Sequence, residues 1–299
     1  MAKAKIYAHL ALLLVALIYG LNYSLAKDVM PHYVQPRAFI LIRAIGATFL
    51  FHLLGAFAGR DTIQRRHWPR LALCGLLGVA ANQMFFFEGL NLTTPIQASV
   101  IMTVNPIVVM LLSALLLKTR IKAFRIVGIG LGLGGAVLLI TQGQSLGSVF
   151  DQEASLGNLL VFCNASSYAA YLVVVKPLMA HYKAITVIKW VFTFGLLMVL
   201  PFAWQPIQAV QWQALPANII GEIAFVVLGT TFLAYLLNIY ALQIVSSTTV
   251  SIYIYLQPVF ATMVAVLLGK DQLTLTAVLS AALIFMGVYL VSVYKRKVN

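Results

Sequence analysis

The chain has 299 residues, of which 62% belong to the nine apolar types and only 9% are charged, and its mean hydropathy is +0.96. A soluble domain carries charge on about a quarter of its residues, so an ordinary globular enzyme, a disordered chain and a fibrous repeat are excluded and lipid must be the main solvent. The excess of 20 Lys and Arg over 7 Asp and Glu is spread over many short segments rather than gathered into the patch that phosphate neutralisation needs, so nucleic acid is not expected as a partner.

Ten apolar segments follow one another, at residues 7–26, 38–57, 71–90, 96–117, 124–141, 156–175, 184–204, 218–242, 248–268 and 275–293. As helices, each is long enough to cross about 30 Å of hydrocarbon, and ten such spans leave only short loops. Lys3 and Lys5 before the first segment give it the look of a signal peptide. It is longer than a typical signal core and nine more segments follow, so it reads as the first span. Cys74 and Cys163 lie inside apolar runs, which gives neither a disulfide framework nor zinc spacing.

Basic residues in short loops favour the cytoplasmic side. With the amino terminus inside, fifteen fall on inner segments: Lys3, Lys5, Arg60, Arg65, Arg66, Arg70, Lys118, Arg120, Lys122, Arg125, Lys176, Lys183, Lys295, Arg296 and Lys297. Three fall outside, Lys27, Arg37 and Lys270, while Arg43 and Lys189 lie within helices. Both termini are therefore expected in the cytoplasm.

The two halves, 1–150 and 151–299, resemble each other. The second helix opens with Arg37-AFILI-Arg43 and the seventh with Lys183-AITVI-Lys189. Ser99, Asn105-Pro106, Lys118 and Gly135 recur at a constant offset of 152 as Ser251, Gln257-Pro258, Lys270 and Gly287. Five spans per half is an odd number, so the second copy must enter the membrane inverted. The expected fold is an all-α integral membrane protein of ten transmembrane helices in two inverted five-helix repeats, with a site near the midplane between them.

Pro106 and Pro258 fall near mid-membrane, where proline removes a donor and loosens the carbonyl four residues earlier, those of Met102 and Ile254. Each follows an amide, Asn105 or Gln257, which suggests a hinge; simple tolerance of proline in membrane helices is the other reading. A cation within hydrocarbon is costly and faces a cavity or a partner unless it snorkels to the headgroups. Arg43 is expected in the outer third and Lys189 in the inner third, each at one mouth. Glu88 is placed to act as a coupling or gating acid, or else to neutralise Arg43. Glu222 is expected near the outer surface.

Polar and aromatic residues at helical spacing mark inward faces: Tyr19, Asn22 and Tyr23; Asn82 and Phe86; Gln97 and Asn105; Asn164, Tyr168 and Tyr171; Tyr235 and Asn238; Tyr253 and Gln257. Aromatic rings with a few amides suit a small organic solute, although any single member could be a packing or interhelical hydrogen-bonding residue. The run from Gly130 to Gly135 formally fits a dinucleotide fingerprint, but no strand precedes it. Gly128 with Gly132 and Gly130 with Gly134 instead suit close helix packing, and this face permits a dimer. No catalytic signature is present, and the five scattered histidines suggest no metal site. Neither cofactor nor metal is expected.

The stretches YGLNYSLAK from Tyr19 to Lys27, LIRAIGA from Leu41 to Ala47, TTPIQASVIMTVNPIVVMLLSALLL and the closing GVYLV resemble the ten-helix EamA type of the drug/metabolite transporter superfamily, over nearly the whole chain in two copies. The resemblance implies a secondary transporter of small metabolites, often amino acids and commonly outward. It also implies a cavity lined by helices one to four and six to nine, with the fifth and tenth peripheral. Asn22, Lys27, Arg43 and the Asn105-Pro106 step match the family motifs. The family's usual glutamates after the fourth and ninth helices are replaced by Lys118 and by Lys270-Asp271.

The resulting expectation is a bacterial-type inner-membrane exporter of small zwitterionic or anionic metabolites, working by alternating access as a monomer or homodimer. Its substrate contacts are Asn22, Arg43, Asn82, Phe86, Gln97, Asn105, Asn164, Tyr168, Lys189, Asn238, Tyr253 and Gln257. Lys27, Glu88, Pro106 and Pro258 couple or gate, and Arg43, Lys189 and Lys27 supply positive potential for a carboxylate. Alternatives are a membrane-embedded enzyme acting on lipid-linked substrates, a small multidrug exporter and a non-transporting scaffold.

Overall fold

A computed structural model describes residues 2–58, 61–141, 155–267 and 274–292. Arg60, Lys270, Asp271, Lys295, Arg296 and Lys297, invoked above, lie outside them. Among the described residues all regular structure is helical. Nine helices are long and apolar enough to cross a membrane: α1 (Ala2–Val29), α2 (Pro36–Phe57), α3 (Arg65–Leu92), α4 (Pro95–Leu116), α5 (Ala123–Thr141), α6 (Ser155–Ala180), α7 (Ala184–Gln208), α8 (Ala217–Ile244) and α10 (Leu275–Ser292). Residues 247–267, here α9, are not among the nine; they form an interrupted helix of Ser247–Ile252, a 3₁₀ turn Tyr253–Tyr255, and Leu256–Leu267.

Interruptions occur where the sequence lacks a regular donor or carries an extra residue. Ahead of Asn105-Pro106 the α4 backbone tightens into a turn, with Thr103 N donating to Val100 O at 3.1 Å and Val104 N to Ile101 O at 3.0 Å. The 3₁₀ turn of α9 stands in the same relation to Gln257-Pro258. Two further helices widen without proline into π-helix, α3 at Leu76–Ala80 and α8 at Val226–Leu233. Helix starts are capped locally: the Thr94 side chain accepts from Gln97 N, and Ser246 from Thr249 N. At α7 the cap comes from a distance. Asp61, between α2 and α3, accepts from Lys183 N at 3.0 Å and from Thr186 Oγ1 at 2.9 Å, and the Lys183 N–H is the main reason its carboxyl sits below the usual carboxylate range.

The helices pair in a regular way. α5 packs along α10, α2 along α7, and α3 along α6; α1 lies against α8 and α9, while α4 lies against α6. The second half of α4 also meets the first part of α9. Large apolar side chains such as Phe57, Leu115 and Leu275 remain exposed, a surface suited to acyl chains. The α5–α10 contact is made on glycine: a methyl group on Gly128 would lie 2.9 Å from the Gly287 carbonyl oxygen, whereas Gly130 and Gly134 face open space. The glycine face of α5 is thus divided between a packed and an unfilled side.

Gly128→Leu should therefore separate α5 from α10 and destabilise the protein by about 1–3 kcal/mol, with Gly130→Leu close to neutral, as read from unfolding in detergent. Asp61 gives a pH test. Its folded value is depressed, so its contribution is complete above the unfolded carboxyl value and fades as pH falls through the folded one; the acid limb of the stability profile should flatten in Asp61→Asn.

Candidate functional site

A central cavity with about 550 Å³ of empty space lies among α1, α2, α3, α4, α6, α8 and α9. Of the residues expected at a substrate site, the structure brings Asn22, Arg43, Asn82, Phe86, Asn164, Tyr168 and Gln257 to its wall. Asn238 and Tyr253 line a smaller adjoining space that shares Tyr19, Tyr168, Ile254 and Gln257 with it. Tyr23, on the wall beside Phe86, has its ring 5.6 Å from that phenyl in an edge contact.

Among the described residues Arg43 is the only charged one on the wall, and it is 3% exposed. Its Nε donates to Thr231 Oγ1 at 2.8 Å, and its guanidinium carbon lies 4.2 Å from the centre of the Phe87 ring. Thr231 in turn donates to Val226 O at 2.7 Å. Because its one proton is committed to that carbonyl, the hydroxyl presents a lone pair to arginine. Arg43 Nη1 is buried with no hydrogen-bond partner among the described residues.

The π-helical stretches supply other anchors. Tyr235 OH donates to Gly78 O at 2.9 Å and lies 3.2 Å from Asn82 Oδ1, and Ser167 Oγ donates to Leu77 O at 2.7 Å. Asn164 Nδ2 donates to Asn82 O at 2.8 Å across the α3–α6 contact.

Several expected residues lie elsewhere. Asn105 is wholly buried and donates to Ala165 O at 2.7 Å, tying the α4 turn to α6. Gln97 joins a polar knot at the end of α3, where it accepts from Asn158 Nδ2 at 2.8 Å. Lys27 does not point its charge into the cavity: its ammonium donates to Leu90 O, Asn91 O and Thr93 O at 2.8, 3.0 and 3.2 Å, capping α3. Lys176, not singled out from sequence, does the same for α8 through Leu242 O and Val245 O. Glu88 pairs with Arg37 at 2.7 Å, not with Arg43, and this pair is the only ion pair among the described residues. Lys189 is half-buried beside Gly55 and Trp190, away from the chamber. Pro106 is buried in α4. Pro258 borders a second space of about 810 Å³ between α1, α4, α5 and α9, which shares Tyr23, Met102, Ile254 and Gln257 with the central cavity.

The structure adds Gln83, Phe87, Met102, Thr230 and Ile254 to the wall, and Thr231 behind it. Thr231 stands four residues before Tyr235 and seven before Asn238, a spacing that would have found it. Met102 and Ile254 are the residues whose carbonyls the prolines loosen.

These features define a multi-pass membrane protein built around a buried polar chamber, and the comparisons with known proteins agree with that class. The sequence pattern of the EamA-like transporter family matches residues 6–141 and again residues 155–293. An uncharacterized transporter of Archaeoglobus fulgidus is 26% identical over 286 residues, covering 94% of this chain and 97% of that protein. The uncharacterized inner membrane transporter YicL of Salmonella typhimurium is 23% identical, covering 96% of each. A protein of known crystal structure superimposes with a TM-score of 0.77 at 19% identity, covering 99% of each chain, which speaks for the fold alone. The chain belongs to the EamA-like transporter family, within the drug/metabolite transporter superfamily, and is a transporter and not an enzyme.

Thr231→Val should leave both the arginine Nε and the Val226 carbonyl unpaired, destabilising the protein by about 1–3 kcal/mol. Thr231→Ser should restore the loss, as measured by unfolding in detergent.

Proposed function

We propose that this protein exports small zwitterionic or anionic metabolites, amino acids foremost, by alternating access through the central chamber. The observation that carries the reading is Arg43. A buried cation with no carboxylate beside it is costly, and a substrate carboxylate reaching Nη1 would relieve that cost while the amides and rings around it orient the rest. A cationic drug would meet no acid among the described residues of the wall. Outward direction is taken from the family resemblance.

The mechanism we infer uses ten spans in two inverted copies, 1–150 and 151–299. Its support is the paired construction of the chain: π-helix in α3 and α8, a proline-linked break in α4 and α9, a lysine of α1 capping α3 and one of α6 capping α8. The packing of α1 on α8 likewise has its counterpart in that of α6 on α3. Fifteen basic residues on inner segments against three on outer ones support cytoplasmic termini. One chain encloses the chamber, so monomer and homodimer serve equally.

The test is counterflow in proteoliposomes with a panel of labelled amino acids and related acids. The wild-type protein should show saturable exchange. Arg43→Gln should lose it by roughly 30-fold or more, the scale of removing one partner of a buried charge contact. Undiminished exchange in that variant would remove the proposed role of arginine.

A further inference from the structure

A recess with about 1030 Å³ of empty space opens at the end of the bundle where α1 begins and α10 ends, remote from the chamber wall. Lys5 and His9 of α1, Lys122 and Arg125 around the start of α5, and the hydroxyls of Ser246, Thr249 and Ser292 line it. Among the described residues no acid lines it. Of the described acids, Asp28, Glu88 and Glu222 lie toward the opposite end, and Asp61 is engaged by Lys183 and Thr186. Lys5 and Arg125 are half-buried, and Arg125 Nε is buried with no hydrogen-bond partner. Several cations converging on hydroxyls, with no counterion among the described residues, form a receptor for a phosphate group.

The position of the recess says which kind of phosphate. It sits at the ends of membrane helices, and the flanking surface carries exposed Ile6, Tyr7 and Leu10 of α1 and Ile126 and Val127 of α5. Its inner wall includes Phe124, Val245 and Val291. A phosphate held there would have hydrocarbon directly below it. We propose that the recess binds the headgroup of an anionic phospholipid, with the acyl chains lying along α1 and α5. The bound headgroup bridges α1, α5, α10 and the turn into α9. The α1 end of that bridge matters because His9 Nδ1 lies 2.7 Å from Tyr253 OH, at the 3₁₀ break of α9, so the lipid braces the hinge from the membrane surface.

The experiment uses the full chain in nanodiscs of phosphatidylcholine with and without phosphatidylglycerol, reading unfolding temperature and, by native mass spectrometry, retained lipid. The wild-type protein should gain several degrees with phosphatidylglycerol and keep it bound. Lys5→Gln/Lys122→Gln/Arg125→Gln should retain it roughly a hundredfold less well. Lys3→Gln/Arg65→Gln/Arg66→Gln, with the same loss of charge at the same end, should behave as wild type. Should the first triple variant fail to fold, Lys122→Gln alone, on an exposed side chain, should weaken retention roughly fivefold. Equal losses in the two triple variants would mean diffuse surface attraction and overturn the site. No gain from phosphatidylglycerol in the wild-type protein, or the same gain from inorganic phosphate in phosphatidylcholine nanodiscs, would also overturn it.

Discussion

In hydrocarbon a peptide carbonyl has no water to turn to, so each one released from a helix must find a donor within the protein. This chain releases several in its π-helical stretches, and side chains meet them there: Tyr235 at Gly78, Ser167 at Leu77 and Thr231 at Val226. Lys27 and Lys176 do so at the ends of α3 and α8. The polar residues within the bundle are thus first of all the means by which irregular helices remain possible in lipid. The chamber exists where those irregular stretches converge, and its shape follows from which carbonyls are freed.

Arg43 sits differently. Its Nε is spent on Thr231 and its flat face rests near Phe87, which fixes the guanidinium without neutralising it. Among the described residues, the acids that might have done so are distant or engaged, as Glu88 is by Arg37 at an exposed position. Under the proposed function, this held but uncompensated charge would serve a carboxylate-bearing solute, because the protein has already met the cost of orienting the donor.

Much of this was legible in the residues. The membrane class followed from the scarcity of charge, nine spans from the apolar runs, and nine wall residues from helical spacing, with Arg43 added as a cation within a helix. What spacing could not convey was the π-helical widening, which leaves no mark as plain as proline. It alters the turn ahead of Asn82 and Tyr235. Charge was the other blind spot. Lys189 looked equivalent to Arg43 as a cation within a helix, and Lys27 was expected to share in its positive potential, yet an ammonium on a flexible stem can reach a helix end or the headgroup region, while the guanidinium of Arg43 is held in the interior by its own partner. The separation of Gln97 and Asn105 from the wall had a similar cause, since an amide that serves a backbone carbonyl or a neighbouring amide is indistinguishable in sequence from one that serves a solute.

A stretch of π-helix is geometrically an α-helix that has accommodated an additional residue. Removing one residue from 226–233 would let α8 rewind, turning everything beyond it by about 100° and swinging Tyr235 and Asn238 away from where they now stand. Relatives differing by a single insertion or deletion there would present another set of side chains to the interior with no residue exchanged. Selectivity in this architecture can therefore drift through the length of a helix as readily as through its composition.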